Sequence, residues 1–105
     1  MMAKFRVAGV GDLPPGEVRP VQVGDRAVCL AHVAGEGWFA IGNSCTHEDV
    51  ELSDGDLDGA EIECPAHGSR FDVRSGAVRG LPATVPATAY SVVLEGDDVY
   101  VVLDS

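Results

Sequence analysis

Positive charge is what this sequence has least of. Seven basic residues stand against seventeen acidic ones, Lys4 is the only lysine, and the formal net charge is −10. Such a chain repels phosphate backbones, which excludes nucleic acid and anionic membrane surfaces as expected partners and leaves basic protein surfaces open. Long apolar runs are also missing: none approaches the ~20 residues a helix needs to cross a bilayer. Met1 to Gly16 carries two basic residues with no apolar stretch behind them, which does not match a secretory signal. Three cysteines are an odd number, so a complete disulfide framework is not expected. The expectation is a soluble, cytoplasmic and monomeric chain whose thiols stay reduced and able to bind metal. At 105 residues there is room for one domain, 1–105, and none for a second catalytic unit. The glycines between Gly9 and Gly16 form no phosphate loop, since no lysine follows them. Helical periodicity is scarce, and at most Asp49 to Ser53 makes one short turn.

What the chain does have is valine, glycine and proline. Sixteen valines favour strands, and thirteen glycines with six prolines imply many turns. Short β segments are expected at Lys4 to Val7, around Val18, Val21 and Val23, at Ala27 to Val33 and at Trp38 to Ile41. Two more, Ala89 to Leu94 and Val99 to Leu103, flank Gly96-Asp97-Asp98 as a hairpin, and Gly24-Asp25 signals another. The expected fold is all-β: a small antiparallel β-sandwich or barrel. Its centre, about 42–83, reads differently, as loops around the short apolar pieces Ile62 to Cys64 and Arg70 to Val73, with a tight turn at Ser75-Gly76.

The unusual chemistry falls in that centre. Cys45-Thr46-His47 is C-x-H, and Cys64-Pro65-Ala66-His67-Gly68 is C-x-x-H-G, with sixteen residues between His47 and Cys64. Each pair puts one thiolate donor and one imidazole donor in a single tight loop, and four soft donors in two short clusters point to a metal. Zinc accepts two cysteines and two histidines, usually with like ligands paired in sequence. A [2Fe–2S] cluster of mixed ligation takes both cysteines on one iron and both histidines on the other, which suits loops that each supply one of each kind. Spacing alone leaves both open.

At these residues the chain resembles the Rieske iron–sulfur proteins. The likeness continues through Ser69, Phe71-Asp72, Ser75-Gly76 and Gly80-Leu81-Pro82-Ala83, the last similar to the proline-containing loop that covers the cluster in that family. It is nearest to the small soluble ferredoxins of multicomponent non-haem iron oxygenases, and similar ferredoxins accompany iron–sulfur assembly systems. The resemblance implies one [2Fe–2S] cluster, with Cys45 and Cys64 on one iron, His47 and His67 on the other, and Ser69 and Pro82 as cluster-contacting residues. It implies a loop-rich cluster-binding subdomain within a Rieske fold. It also implies a one-electron carrier between a flavoprotein reductase and a terminal ring-hydroxylating oxygenase, which is not itself an enzyme. Alternatives of other classes are a Rieske-like small subunit of nitrite reductase, a ferredoxin of cluster assembly and a structural zinc module.

The respiratory branch of the family has a further cysteine in each loop, and Val50 and Ala66 stand at those places here. It also has a tyrosine whose hydroxyl bonds a cysteine sulfur, where this chain has Phe71. Ser69 matches the serine that bonds a bridging sulfide. With two of three such features missing, the expected potential lies in the lower part of the roughly −150 to +300 mV Rieske range. Cys29 and His32, in an apolar strand, are expected to be structural, and Trp38-Phe39 to be core. Glu48 to Glu63 holds eight acidic residues and no basic one. It reads either as a solvated acidic loop or as a docking surface for a basic partner.

Overall fold

The computed structural model describes residues 2–46, 49–66, 68–81 and 83–104. Among these, the strands in chain order are β1 (Met2–Gly9), β2 (Glu17–Val23), β3 (Arg26–Val33), β4 (Gly37–Gly42), β5 (Asp56–Asp58), β6 (Glu61–Glu63), β7 (Arg70–Asp72), β8 (Val78–Gly80), β9 (Ala89–Glu95) and β10 (Asp98–Asp104). A single 3₁₀ turn, Leu52–Asp54, precedes β5. The strands form a six-stranded sheet in the order β1-β10-β9-β4-β3-β2 and a four-stranded sheet in the order β5-β6-β7-β8. Every pairing is antiparallel. The fold is all-β, as expected from the sequence.

The unbroken apolar stretch in β3 has a structural reason. A strand points successive side chains to opposite faces, and β3 is covered on both. Val28 and Leu30 join Val23, Ala40, Val99 and Val101 in a core enclosed by the large sheet. Cys29, Ala31 and Val33 face the other way, into a second core with Leu52, Ile62, Phe71 and Val73. β3 is thus the wall shared by both cores, while β10 shows the plainer alternation, with Val99 and Val101 buried. Leu30 and Phe71 are fully buried; truncating either to alanine costs about 2–5 kcal/mol.

Two hairpins lie where turn residues placed them. Val23 pairs Arg26 across Gly24-Asp25, with Gly24 at φ 61°, and Asp98 pairs Glu95 across Gly96-Asp97. The centre differs from the expectation of loops. Residues 56–80 carry four short strands, two of which, β5 and β8, have no apolar alternation long enough to announce them. The helical turn starts three residues into the 49–53 window and runs one residue past it, because Glu51 bridges back to Ser44 and so stays extended.

The β7–β8 turn rests against the segment that leads into β9. Gly76 sits at φ 80°, and a Cβ there would lie 1.9 Å from the carbonyl oxygen of Ala87. Ala87 in turn donates its amide to the Gly76 carbonyl at 2.8 Å. Only glycine permits this approach.

Candidate metal centre

Two loops of matching construction lie between the sheets. The first leaves β4 through Asn43, which is buried and whose side-chain oxygen accepts the Ser53 amide at 2.8 Å. The backbone of Asn43 donates to Ala27 at 3.1 Å and accepts from Leu52 at 2.6 Å. The loop then closes on itself: Cys45 donates its amide to the Val50 carbonyl at 2.8 Å. The second loop repeats the device, with the Cys64 amide donated to the Ser69 carbonyl at 2.7 Å and Gly68 donating to Cys64 at 3.1 Å. In each, a cysteine starts the loop and its amide reaches the carbonyl five residues on.

Both cysteine side chains are buried and belong to the one core cluster that also holds Phe71, Ala83 and Ala87. Val50, at one of the positions discussed above, packs partly buried against the same cluster. The other, Ala66, is exposed on the second loop. Phe71 is fully buried between β6 and β8. The remaining expected site residues His47, His67 and Pro82 lie outside the described residues, as does Glu48; the loops at whose bases Cys45 and Cys64 stand are the ones that carry the two histidines. This donor set fits a mixed-ligand iron–sulfur cluster: two buried thiols in an apolar setting, each opening a backbone-closed loop with an imidazole in it.

A strap of residues 83–88 crosses the site. The Ala83 amide donates to the Ser69 hydroxyl oxygen at 3.0 Å, and the Thr46 hydroxyl donates to the Val85 carbonyl at 2.5 Å. Ala87 is bonded to Gly76, and Gly42 of β4 donates to the Thr88 carbonyl at 2.8 Å. The buried Ser69 accepts from the strap through its oxygen and keeps its own proton to donate. On the outer side, Leu81 and Val85 are 76 % and 57 % exposed, large for apolar side chains.

Electrostatics around the site are more compensated than the linear charge run suggested. Arg70 of β7 reaches Glu61 at 3.1 Å, Asp58 at 3.3 Å and Glu63 at 3.4 Å. Among the described carboxylates of this run three therefore share one guanidinium, and its second half, 56–63, is a β hairpin rather than loop. Asp49, Glu51, Asp54 and Asp56 are exposed. A second network is centred on the buried Asp72. Its carboxylate accepts the Arg74 guanidinium at 2.9 and 3.0 Å, the Arg74 amide at 2.9 Å and Arg79 at 3.4 Å. Arg74 also reaches Glu36, in the β3–β4 turn, at 2.9 Å. The Arg74 guanidinium holds Asp72 down at about 2.

Sequence reasoning passed over Thr46, Asn43, Asp72 and Arg74 as contributors to this centre. The local signal for Asp72 was an acid two residues before a basic Arg74 at a turn. Nothing local marks Thr46, whose partner lies 39 residues away. Cys29 and His32 take structural places. Burial pushes the Cys29 thiol up to about 12. The His32 ring stacks on Trp38, centroids 4.1 Å apart, with Nδ1 2.7 Å from the Leu13 carbonyl.

An all-β frame presenting paired Cys-His loops defines a small iron–sulfur protein of the mixed-ligand kind. The family model described as the Rieske [2Fe-2S] domain matches residues 3–96, and the chain belongs to that family, whose cluster is held by two cysteines and two histidines. It is 41 % identical over 103 residues to the ferredoxin component of biphenyl 2,3-dioxygenase of Rhodococcus jostii (strain RHA1), covering 98 % of this chain and 95 % of that one. Among solved structures it is similar to the ferredoxin of carbazole 1,9a-dioxygenase from Nocardioides aromaticivorans IC177, with a TM-score of 0.90 and 38 % identity over 94 % of this chain and 96 % of that chain. A complex of reduced oxygenase and oxidized ferredoxin in carbazole 1,9a-dioxygenase matches with a TM-score of 0.87 and 38 % identity, over 92 % and 99 % of the two chains.

Proposed function

We propose that this chain is the ferredoxin component of a multicomponent oxygenase system. It takes one electron at a time from a flavoprotein reductase and delivers it to a terminal non-haem iron oxygenase. The observation that carries this reading is the pair of alike loops, each opened by a buried cysteine whose amide is bonded five residues on, in a chain 41 % identical to a dioxygenase ferredoxin component. Cys45 and Cys64 would hold one iron, His47 and His67 the other, within a single domain, 1–105, whose cluster-binding region is about 42–83. Bound there, the cluster supplies reversible one-electron storage at a potential raised by exchanging two thiolates for neutral imidazoles.

The chain's own residues exclude water and set polarity. Phe71, Ala83 and Ala87 close the apolar side of the site. Ser69 offers a hydroxyl proton and Phe71 offers none. Partner contact would combine the exposed Leu81 and Val85, Pro82 between them, and the carboxylates Asp49 and Glu51 against a basic patch. No helix among the described residues is long and apolar enough to cross a membrane. We place the protein in the cytoplasm, where thiols stay reduced, and working as a monomer.

The test is the purified protein itself. Two irons and two labile sulfides per chain are expected, with a mixed-ligand electron paramagnetic resonance signal on reduction. Turnover of a terminal oxygenase should depend on it in the presence of a reductase. A colourless protein with one stoichiometric zinc overturns the reading. A red protein that supports nitrite reduction but no oxygenase overturns the choice of partner alone.

A further inference from the structure

We propose that Thr46 is a positioning residue for the cluster. Its hydroxyl locks the 83–88 strap onto the first ligand loop and so sets how tightly both loops close. The inference rests on the ligand assignment above, since Thr46 stands between Cys45 and His47.

The strap is held at four points, each to a different part of the site. Ala83 is bonded to Ser69 at the base of the second loop, Val85 to Thr46 in the first, Ala87 to the β7–β8 turn and Thr88 to β4. The side chains between anchors face outward: Thr84, Val85 and Pro86 are exposed while Ala83 and Ala87 are buried. With no deep apolar packing at its middle, the strap depends on that central bond. Thr46 supplies it at 2.5 Å, across 39 residues of sequence, and is itself exposed. Its place there is unforced by burial, so the hydroxyl rather than the methyl is what the position uses. Pro86 restricts Val85 to extended backbone and so presents the acceptor carbonyl in advance.

Without the bond, two closed loops remain, and the strap's hydrogen bond on the first loop's side is the one at its far end, from Gly42 of β4 to Thr88. A neutral hydrogen bond of this kind contributes enough to change an opening equilibrium on the order of tenfold. Thr46→Val keeps the shape and removes the donor; Thr46→Ser keeps the donor and removes the methyl.

The experiment compares loaded wild type with both variants. Iron loss to an excess of EDTA should be about tenfold faster in Thr46→Val and within about twofold of wild type in Thr46→Ser. The reduced-state paramagnetic resonance lines should broaden in Thr46→Val, as loop geometry becomes heterogeneous, and sharpen again in Thr46→Ser. Equal loss rates and line shapes in wild type and Thr46→Val overturn the proposal, and so does Thr46→Ser behaving like Thr46→Val. If Thr46→Val accumulates no loaded protein, Pro86→Ala replaces it. Freeing Val85 should speed iron loss roughly two- to fivefold, and an unchanged rate overturns the proposal. A wild type that holds no iron would instead defeat the ligand assignment, a separate failure.

Discussion

At the scale of single residues, the three cysteines separate by environment. All three belong to one core cluster, but Cys29 lies inside a strand with its thiol pushed up to about 12, whereas Cys45 and Cys64 open loops. A metal needs the thiolate, so Cys29→Ser should leave the iron content unchanged, while Cys45→Ser and Cys64→Ser should each abolish it. Metal analysis of the three purified variants checks this; iron lost only in Cys29→Ser would reverse the assignment. For Ser69 and Phe71 we propose a tuning role rather than that of ligands. A donor to a cluster sulfur favours the more negative reduced state. Ser69→Ala should therefore lower the potential, and it also removes the acceptor of the Ala83 amide. Phe71→Tyr adds a hydroxyl at a fully buried position and should raise the potential. Protein-film voltammetry on both variants decides, and no change in either would mean that neither side chain meets the cluster.

At the scale of elements, the four-stranded sheet is fastened to the six-stranded one by polar contacts as well as by a shared core. Asp72 at the end of β7 binds Arg74 and Arg79, and Arg74 extends to Glu36 beyond the end of β3. Asp72 stands at about 2 in the fold, below the ~3.9 of an unfolded aspartate. The clamp's contribution is therefore complete above about pH 5, declines as pH falls through the unfolded value and is gone below about 2. It amounts to roughly 2 kcal/mol. Thermal midpoints of wild type and Asp72→Asn should differ at pH 7 and converge toward pH 2. A constant difference across that range would show that Asp72 stabilises by shape alone. The β7–β8 turn is the other fastening. Gly76→Ala combines a disfavoured φ of 80° with a 1.9 Å approach to the Ala87 carbonyl, and should cost on the order of 2–4 kcal/mol in chemical denaturation. A variant as stable as wild type would mean that the turn moves freely away from Ala87.

For the molecule as a whole, the net charge of −10 is unevenly compensated. Lys4 pairs with Glu95, Arg6 with Asp98 and Arg70 with three carboxylates. Exposed pairs like these stabilise the fold little, but they offset most of the charge of the far hairpin and part of that of β5–β6. Asp49, Glu51 and Asp54 remain exposed in and just after the first loop, without a salt bridge among the described residues. Attraction between them and a basic partner is screened beyond about 8 Å at 0.15 M salt, so electron transfer should slow several-fold as salt rises. Asp49→Lys should slow it more than Asp97→Lys, which changes the net charge by the same amount. Stopped-flow oxidation against ionic strength, with the cluster spectrum as a folding control, separates the cases. Equal effects at both places would mean that only total charge steers docking.

Much of this protein was legible in its sequence because the signals were local. Alternation of valines, glycine turns at Gly24 and Gly96, and Cys-x-His beside Cys-x-x-His each act within a few residues, and the chemistry of a loop that offers a thiol and an imidazole does not depend on the rest of the chain. β5 and β8 were not legible. Three residues hold too little pattern, and these strands form because β6 and β7 offer them edges. The acidic run read as unpaired because Arg70, its counter-charge, comes seven residues after the run's last member. Tertiary structure alone decided that all three cysteines share one core, that β3 separates two cores, and that the Thr46 hydroxyl meets Val85. The physical reason is one and the same. Those facts depend on pairings between distant segments, and a pairing is settled by the free energy of the whole packed arrangement rather than by the preference of any one stretch.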